Sequence, residues 1–295
     1  MKIGSWNALG LLDGTFLLDG GSMFGIVPRP LWSRRFVPDE QNRIPMALRP
    51  LLLRGQGRNI LVDCGIGLRF SPKQQEIYQY RRHLGGLSAH LARLGLDPGD
   101  ITDVIATHLH FDHLGGLLAP GPDGALTPVF PRATVHLQEA AWEWAKHPSP
   151  WDQGSFFLGD LAIWSERLDI HLLRGDEVLF PGIRVQRVDG HTPGQQLVFV
   201  EDGSESLLYC ADLIPTASHL HVPFIMAYDQ HPLTTLKEKE AVLGEALLAQ
   251  RVLVFEHDPF LPACRLVTEK GRFAPGCGIC LNTGLGEVAG ARASR

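Results

Sequence analysis

Residues 107–116 read THLHFDHLGG, which places His108, His110, Asp112 and His113 within six consecutive positions. In an extended segment alternate side chains share a face. Val104, Ala106, His108 and His110 therefore point one way, while Ile105, Thr107 and Leu109 enter the opposite layer. His108 and His110 can grip one ion; Asp112 and His113, adjacent and past the strand end, suit a second ion beside it. Crowding imidazoles and a carboxylate this densely without a cation is costly, so the stretch reads as a metal-binding loop. The pair Gly115 and Gly116 is expected to let the following helix pack close beneath it.

Outward from this loop, LSAHLARLGL carries Leu87, Leu91 and Leu94 at helical spacing, and DPG stops that helix before the apolar strand DVIATH. Earlier β-rich runs are GTFLLDGG, MALRPLLL and NILVDCG. The second half repeats the logic with strands IRVQRV, QLVFVED and SLLYCAD, a helix around Leu236, Leu243 and Leu247, and a last strand RVLVFEHD. A catalytic tetrahedral ion takes about three protein ligands and an open position, so two ions need more than one loop supplies. GHTPG places His191, LYCAD places Asp212 and VFEHD places His257, each at a strand-to-loop junction. Between the halves, EAAWEWAKHPSPWDQGSFFLGD reads as a helix and a long loop lying over the site.

The reading is of one α/β domain over residues 1–295, in two pseudo-equivalent halves of about 1–150 and 151–275, with a frayed tail over about 285–295. A net charge of -5 with no basic cluster argues against a nucleic-acid partner. No window approaches the ~20 apolar residues of a membrane span, and the N-terminus lacks a signal-peptide pattern, so a cytoplasmic protein is expected. Five cysteines are too sparse for a disulfide framework. Cys277 and Cys280 form a CGIC that reads as incidental reduced thiols.

The HxHxDH string, followed at long spacing by HTPG, a strand-terminal Asp and a strand-terminal His, resembles the metallo-β-lactamase fold superfamily of dinuclear hydrolases over roughly residues 45 to 260. That resemblance implies a four-layer αββα sandwich. It also implies that His108, His110 and His191 hold one metal, that Asp112, His113 and His257 hold the other, and that Asp212 bridges them. DGGSMFGIVPRPLW, NRIPMALRPLLL, ILVDCGIG and ADLIPTASHLHVPFIMAYDQHP are similar to the quorum-quenching N-acyl-homoserine lactonase group, its YtnP-like members especially. In that group Asp63 would support a ligating histidine from behind. Several members carry a tyrosine three residues after the bridging aspartate, where this chain has Pro215; Thr216, His219, His221 and Tyr228 are the nearest substitutes as donor.

The activity implied is opening of a lactone or ester by a hydroxide shared between two divalent ions, with Asp112 moving the proton. Zinc is expected, and Mn, Fe, Co or Ni are compatible with the same ligands. Met23, Phe24, Trp32 and the Trp-rich insert are expected to line an apolar pocket for a small-molecule substrate. Phosphotriester or aryl-ester hydrolysis and mononuclear iron oxygenase chemistry are the alternatives on the same site. A homodimer is compatible with the sequence.

Overall fold

The computed structural model describes residues 1–281, so the expected tail over 285–295 lies outside the described residues. Two seven-stranded sheets carry the architecture. The first orders Lys2–Ile3, Trp6–Gly10, Leu51–Gly55, Arg58–Val62, Asp103–Ile105, Thr134–Gln138 and Asp169–Leu173. The second orders Glu177–Phe180, Ile183–Val188, Gln195–Asp202, Glu205–Tyr209, Val252–Val254, Ala263–Glu269 and Arg272–Gly278. The chain completes one sheet before starting the other.

Strand alternation explains why the sheets stack. Leu51, Leu53, Ile60 and Val62 join Val185, Leu197, Phe199, Leu207 and Val254 in one buried cluster between the sheets. Leu52 and Leu61, one residue out of phase, pack instead on the outer layer with Leu87 and Leu91 of the helix Gly86–Arg93 and Trp142 of Glu139–Lys146. The helix Pro232–Leu248 sends Val242, Leu243 and Ala246 into the core of the second sheet. The expected helix–sheet–sheet–helix sandwich is the one observed.

Strand direction gathers the site. Arg58–Val62, Asp103–Ile105 and Thr134–Gln138 run parallel, so the segments after Val62 and Ile105 leave one edge together. In the second sheet Glu205–Tyr209 runs parallel to Val252–Val254, and Ile183–Val188 points the same way across the antiparallel Gln195–Asp202. The segments carrying His191, Asp212 and His257 therefore emerge side by side.

Three local expectations are corrected. MALRPLLL is not one strand: Arg43–Leu48 pairs with Gly14–Asp19 in a three-stranded sheet, whereas Leu51–Gly55 enters the first large sheet. Pro50, which has no N–H to give a ladder, sits at the break. DVIATH keeps strand pairing only through Ile105; beyond it the Thr107 N–H and hydroxyl both donate to Asp63. Finally, the glycine pair packs against a loop rather than a helix. A Cβ on Gly116 would lie 2.1 Å from the Cys64 carbonyl oxygen, and one on Gly115 would lie 2.4 Å from that of Ile66.

Candidate metal centre

His108, His110, His191 and Asp212 bring one ligand atom each within 4.8 Å of one another, and Asp112, His113 and His257 form a second such group. Asp212 stands between them. Its Oδ2 is 3.2 Å from His191 Nε2 and 4.0 Å from His108 Nε2, while its Oδ1 is 3.0 Å from His257 Nε2 and 3.5 Å from His113 Nε2. Asp112 Oδ2 lies 3.7 Å from His257 Nε2 and 3.9 Å from His113 Nε2. Strand pairing has ended by Ile105, yet the extended backbone still brings His108 Nε2 within 3.0 Å of His110 Nδ1. All seven side chains singled out in the sequence thus converge.

The outer faces of the rings fix which nitrogen is bare. His191 Nδ1 donates to Asp229 Oδ1 at 2.8 Å and His257 Nδ1 to the Ala47 carbonyl at 2.8 Å. His113 Nδ1 faces Asp63 Oδ2 at 2.9 Å and Glu256 Oε2 at 2.8 Å. The Thr107 hydroxyl donates to Asp63 Oδ2 at 2.7 Å, so it accepts from His108 Nδ1 at 3.0 Å. In each case the outer nitrogen carries a proton and Nε2 is the nitrogen turned inward.

Inward ring nitrogens then face one another, with His191 Nε2 3.2 Å from His110 Nδ1 and His257 Nε2 3.2 Å from His113 Nε2. Asp212 Oδ1 is buried without a hydrogen bond. Such an arrangement needs positive charge between the groups, and neutral imidazole plus carboxylate is a donor set suited to divalent transition ions. Burial, reinforced by the neighbouring histidines, drives the pKa of His108 and His110 well below the ordinary value and keeps both as neutral ligands. Burial also works against a charged His257, but the Asp212 carboxylate outweighs it and pushes that ring up to about 9. Protons can therefore occupy this second group, and a divalent ion would displace them. The residues fit divalent metal binding.

A cavity of about 250 Å³ opens onto these groups. Leu18, Met23, Tyr78, Phe111, Met226 and Tyr228 form its largely apolar wall, and Trp151, Gly154 and Ser155 of the insert close one side. The insert is tied down where Arg69 grips Asp160 through two bonds of 2.7 and 2.6 Å and donates to the Gly115 carbonyl at 3.0 Å. Phe156 packs edge-on against the His110 ring, with centroids 5.0 Å apart.

Of the residues expected around the substrate, Met23 and Tyr228 line the cavity. Phe24, Trp32 and His219 do not. Phe24 is sandwiched between the Trp32 ring at 5.7 Å and the His219 ring at 4.9 Å, and all three are buried. His219 is satisfied on both nitrogens, by Thr216 Oγ1 at 2.8 Å and the Met23 carbonyl at 2.8 Å, and burial lowers its pKa to about 3. It is a packing histidine that holds Met23 in place. His221 stacks edge-on against Phe224 and lies off the cavity wall. Thr216 is buried behind it, and Pro215 gives its carbonyl to the His257 backbone N–H at 3.1 Å.

Sequence reasoning missed Asp229, Glu256, Thr107 and Tyr78. Glu256 adjoins His257, which was a readable signal; Asp229 and Tyr78 carried none. The five cysteines are free thiols, and none joins a potential metal group among the described residues.

Comparison with known proteins follows this geometry. A solved probable metal-dependent hydrolase from Staphylococcus aureus superposes with a TM-score of 0.83 at 28% identity, covering 95% of this chain and 100% of that one. The dizinc quorum-quenching lactonase AidC, solved with a product, superposes with a TM-score of 0.76 over 95% of this chain and 97% of that one; at 20% identity it bears on the fold alone. An N-acyl homoserine lactonase of Bacillus sp is 30% identical over 172 residues, which is 57% of this chain and 60% of that protein's own length. A probable metallo-hydrolase of Mycobacterium tuberculosis is 26% identical over 275 residues, 81% of this chain and 86% of that protein. The sequence model of the Metallo-beta-lactamase superfamily matches residues 50–257, running from the first large sheet to the last converging histidine, and on that match the chain belongs to this superfamily.

Proposed function

We propose that this chain is a dinuclear metal-dependent hydrolase that opens lactones or esters, with N-acyl-homoserine lactone-like molecules as the favoured substrates and quorum quenching as the role. The observation that carries the reading is Asp212, whose two oxygens face different histidine groups at the floor of one apolar cavity. Two divalent ions there, zinc by preference, would supply a hydroxide at neutral pH and an acceptor for developing negative charge on the carbonyl oxygen. His108, His110 and His191 would hold one ion and Asp112, His113 and His257 the other, with Asp63, Glu256 and Asp229 orienting the rings.

The rest of the chemistry belongs to side chains. Met23, Leu18 and Met226 exclude water and hold an acyl chain. Asp112 has Oδ2 as the oxygen nearer His257, leaving Oδ1 to accept the proton released as the carbonyl carbon is attacked and to return it to the departing alkoxide. Similarity to the lactonases, 30% identity over 172 residues, supports the substrate class.

The test is turnover by purified, metal-quantified protein of a panel holding acyl-homoserine lactones, simple lactones, aryl esters and a phosphotriester. Lactone opening with two metals per chain supports the reading. No lactone or ester turnover at full occupancy sinks it, and one iron per chain with oxygen consumption would replace it by an oxygenase.

A further inference from the structure

We propose that Tyr78 is a catalytic residue whose hydroxyl donates a hydrogen bond to the leaving-group oxygen of the substrate. This rests on the hydrolase reading above and adds to it a residue that no part of the ligand set implies.

The chain has four tyrosines, and two of them, away from the cavity, have committed hydroxyls. Tyr80 donates to Asp13 and Tyr209 donates to the Arg49 carbonyl at 3.1 Å; of the two on the cavity wall, Tyr228 lies on the side of Met226 and Tyr78 on the side of Phe111. The Tyr78 hydroxyl bonds to nothing among the described residues, yet the side chain lines the cavity above the metal groups. Its ring is held fast, stacked on Phe70 at 5.3 Å and tilted against Phe111 at 5.2 Å. Phe111 lies between His110 and Asp112 in sequence, so the ring is wedged against the loop that carries two ligands. Tyr78 closes the helix Pro72–Tyr78, which a capping box at Ser71 and Gln74 starts. A fixed donor without a protein partner in an apolar wall offers a polar substrate atom a defined place to bind.

Its position says which substrate atom. Tyr78 packs on Phe111, the residue before Asp112, and Tyr78 and Asp112 line the same cavity. Asp112 is the group that returns the proton to the departing oxygen, and a donor beside it faces the same atom. As the C–O bond breaks, its electron pair goes to that oxygen, which takes its proton from Asp112. Tyr78 keeps its own proton and only spreads the charge.

Tyr78→Phe keeps the ring packing and removes the donor. Its kcat is to be compared with that of the unmodified protein on esters of one acyl group whose leaving alcohols range from nitrophenol to simple alkyl alcohols, and on a γ-lactone. The expected result is little change for nitrophenyl esters and a roughly tenfold loss for alkyl esters and the lactone, the size of one hydrogen bond. Equal loss across the series, with the unmodified protein active, overturns the role of Tyr78 alone. Absence of ester and lactone turnover by the unmodified protein overturns the hydrolase reading itself. A binding readout is independent of turnover: calorimetry of metal-loaded protein with 4-hydroxyoctanoate against octanoate should show a preference for the hydroxy acid that Tyr78→Phe abolishes. The same preference in both proteins refutes the proposal.

Discussion

Asp212 Oδ1 lies 3.0 Å from His257 Nε2 and makes no hydrogen bond, although both atoms are buried. A carboxylate oxygen and an inward ring nitrogen held this close mark a place where a divalent ion would displace a proton, and the carboxylate's other oxygen repeats the arrangement toward His191 at 3.2 Å. Asp212→Ala should therefore lower occupancy of both metals together, by more than the 10–100-fold that loss of a partner behind a ligand costs. Metal content after dialysis against a weak chelator measures this. Loss of one metal with the other retained would rule out a bridging position.

Asp229 tests the layer behind the ligands. Its carboxylate holds only His191, so Asp229→Asn should weaken the ion at His108, His110 and His191 by about 10–100-fold and leave the other ion nearly unchanged. Chelator competition followed at the two sites separately would show it. Equal weakening of both would mean that Asp229 acts through the fold rather than through His191.

The seven inward-facing side chains were legible because ligand chemistry restricts residue type and because each sits where a strand runs out. Strand order and direction then had to bring those ends together, and a periodicity-two pattern such as Leu51, Leu52, Leu53 marks two buried faces without naming the neighbour. The cavity wall was less legible. Phe24 and Trp32 are large and apolar whether they line a pocket or stack behind it, and His219 carries the same imidazole as a ligand while being spent on Thr216 and Met23. Tyr78 ends PKQQEIY, a helix without a buried residue, and meets the cavity through its packing on Phe70 and Phe111. Asp229 likewise becomes a partner of His191 through a contact 38 residues apart in sequence.

Lys239 gives a pH signature from outside the ligand set. It is buried on the helix Pro232–Leu248, donates to the Phe224 carbonyl, and burial lowers its pKa from 10.5 to about 8 despite the opposing effect of Asp229. Between those values the unfolded chain binds the proton and the folded chain does not, so stability rises with pH across that window. A difference of about 2.5 units corresponds to about 3 kcal/mol. Below pH 8 both states are protonated and the cost of the buried charge is constant. Lys239→Met should remove this slope, so the unmodified protein should gain about 3 kcal/mol on the variant between pH 8 and 10.5 in urea unfolding. Parallel stability curves for the two proteins would contradict a buried, depressed lysine.

Gly116→Ala probes the support beneath the metal loop. The glycine's backbone N–H donates to the Gly65 carbonyl at 2.9 Å, and the His113 carbonyl accepts from the Cys64 N–H at 2.8 Å, so the two loops are laced together. An added methyl group would meet the Cys64 carbonyl oxygen at 2.1 Å, and that atom belongs to backbone that cannot rotate away. The lacing must open, which moves Asp63 off His113 and Thr107. The expected cost is about 1–3 kcal/mol of stability, the usual range for overpacking, together with weaker binding of the ion that His113 would hold. Urea unfolding of the metal-free protein reads the first effect, and chelator competition reads the second. A variant with unchanged stability but weakened metal binding would place the strain in the ligand loop alone; one unchanged in both would show that the two loops separate freely.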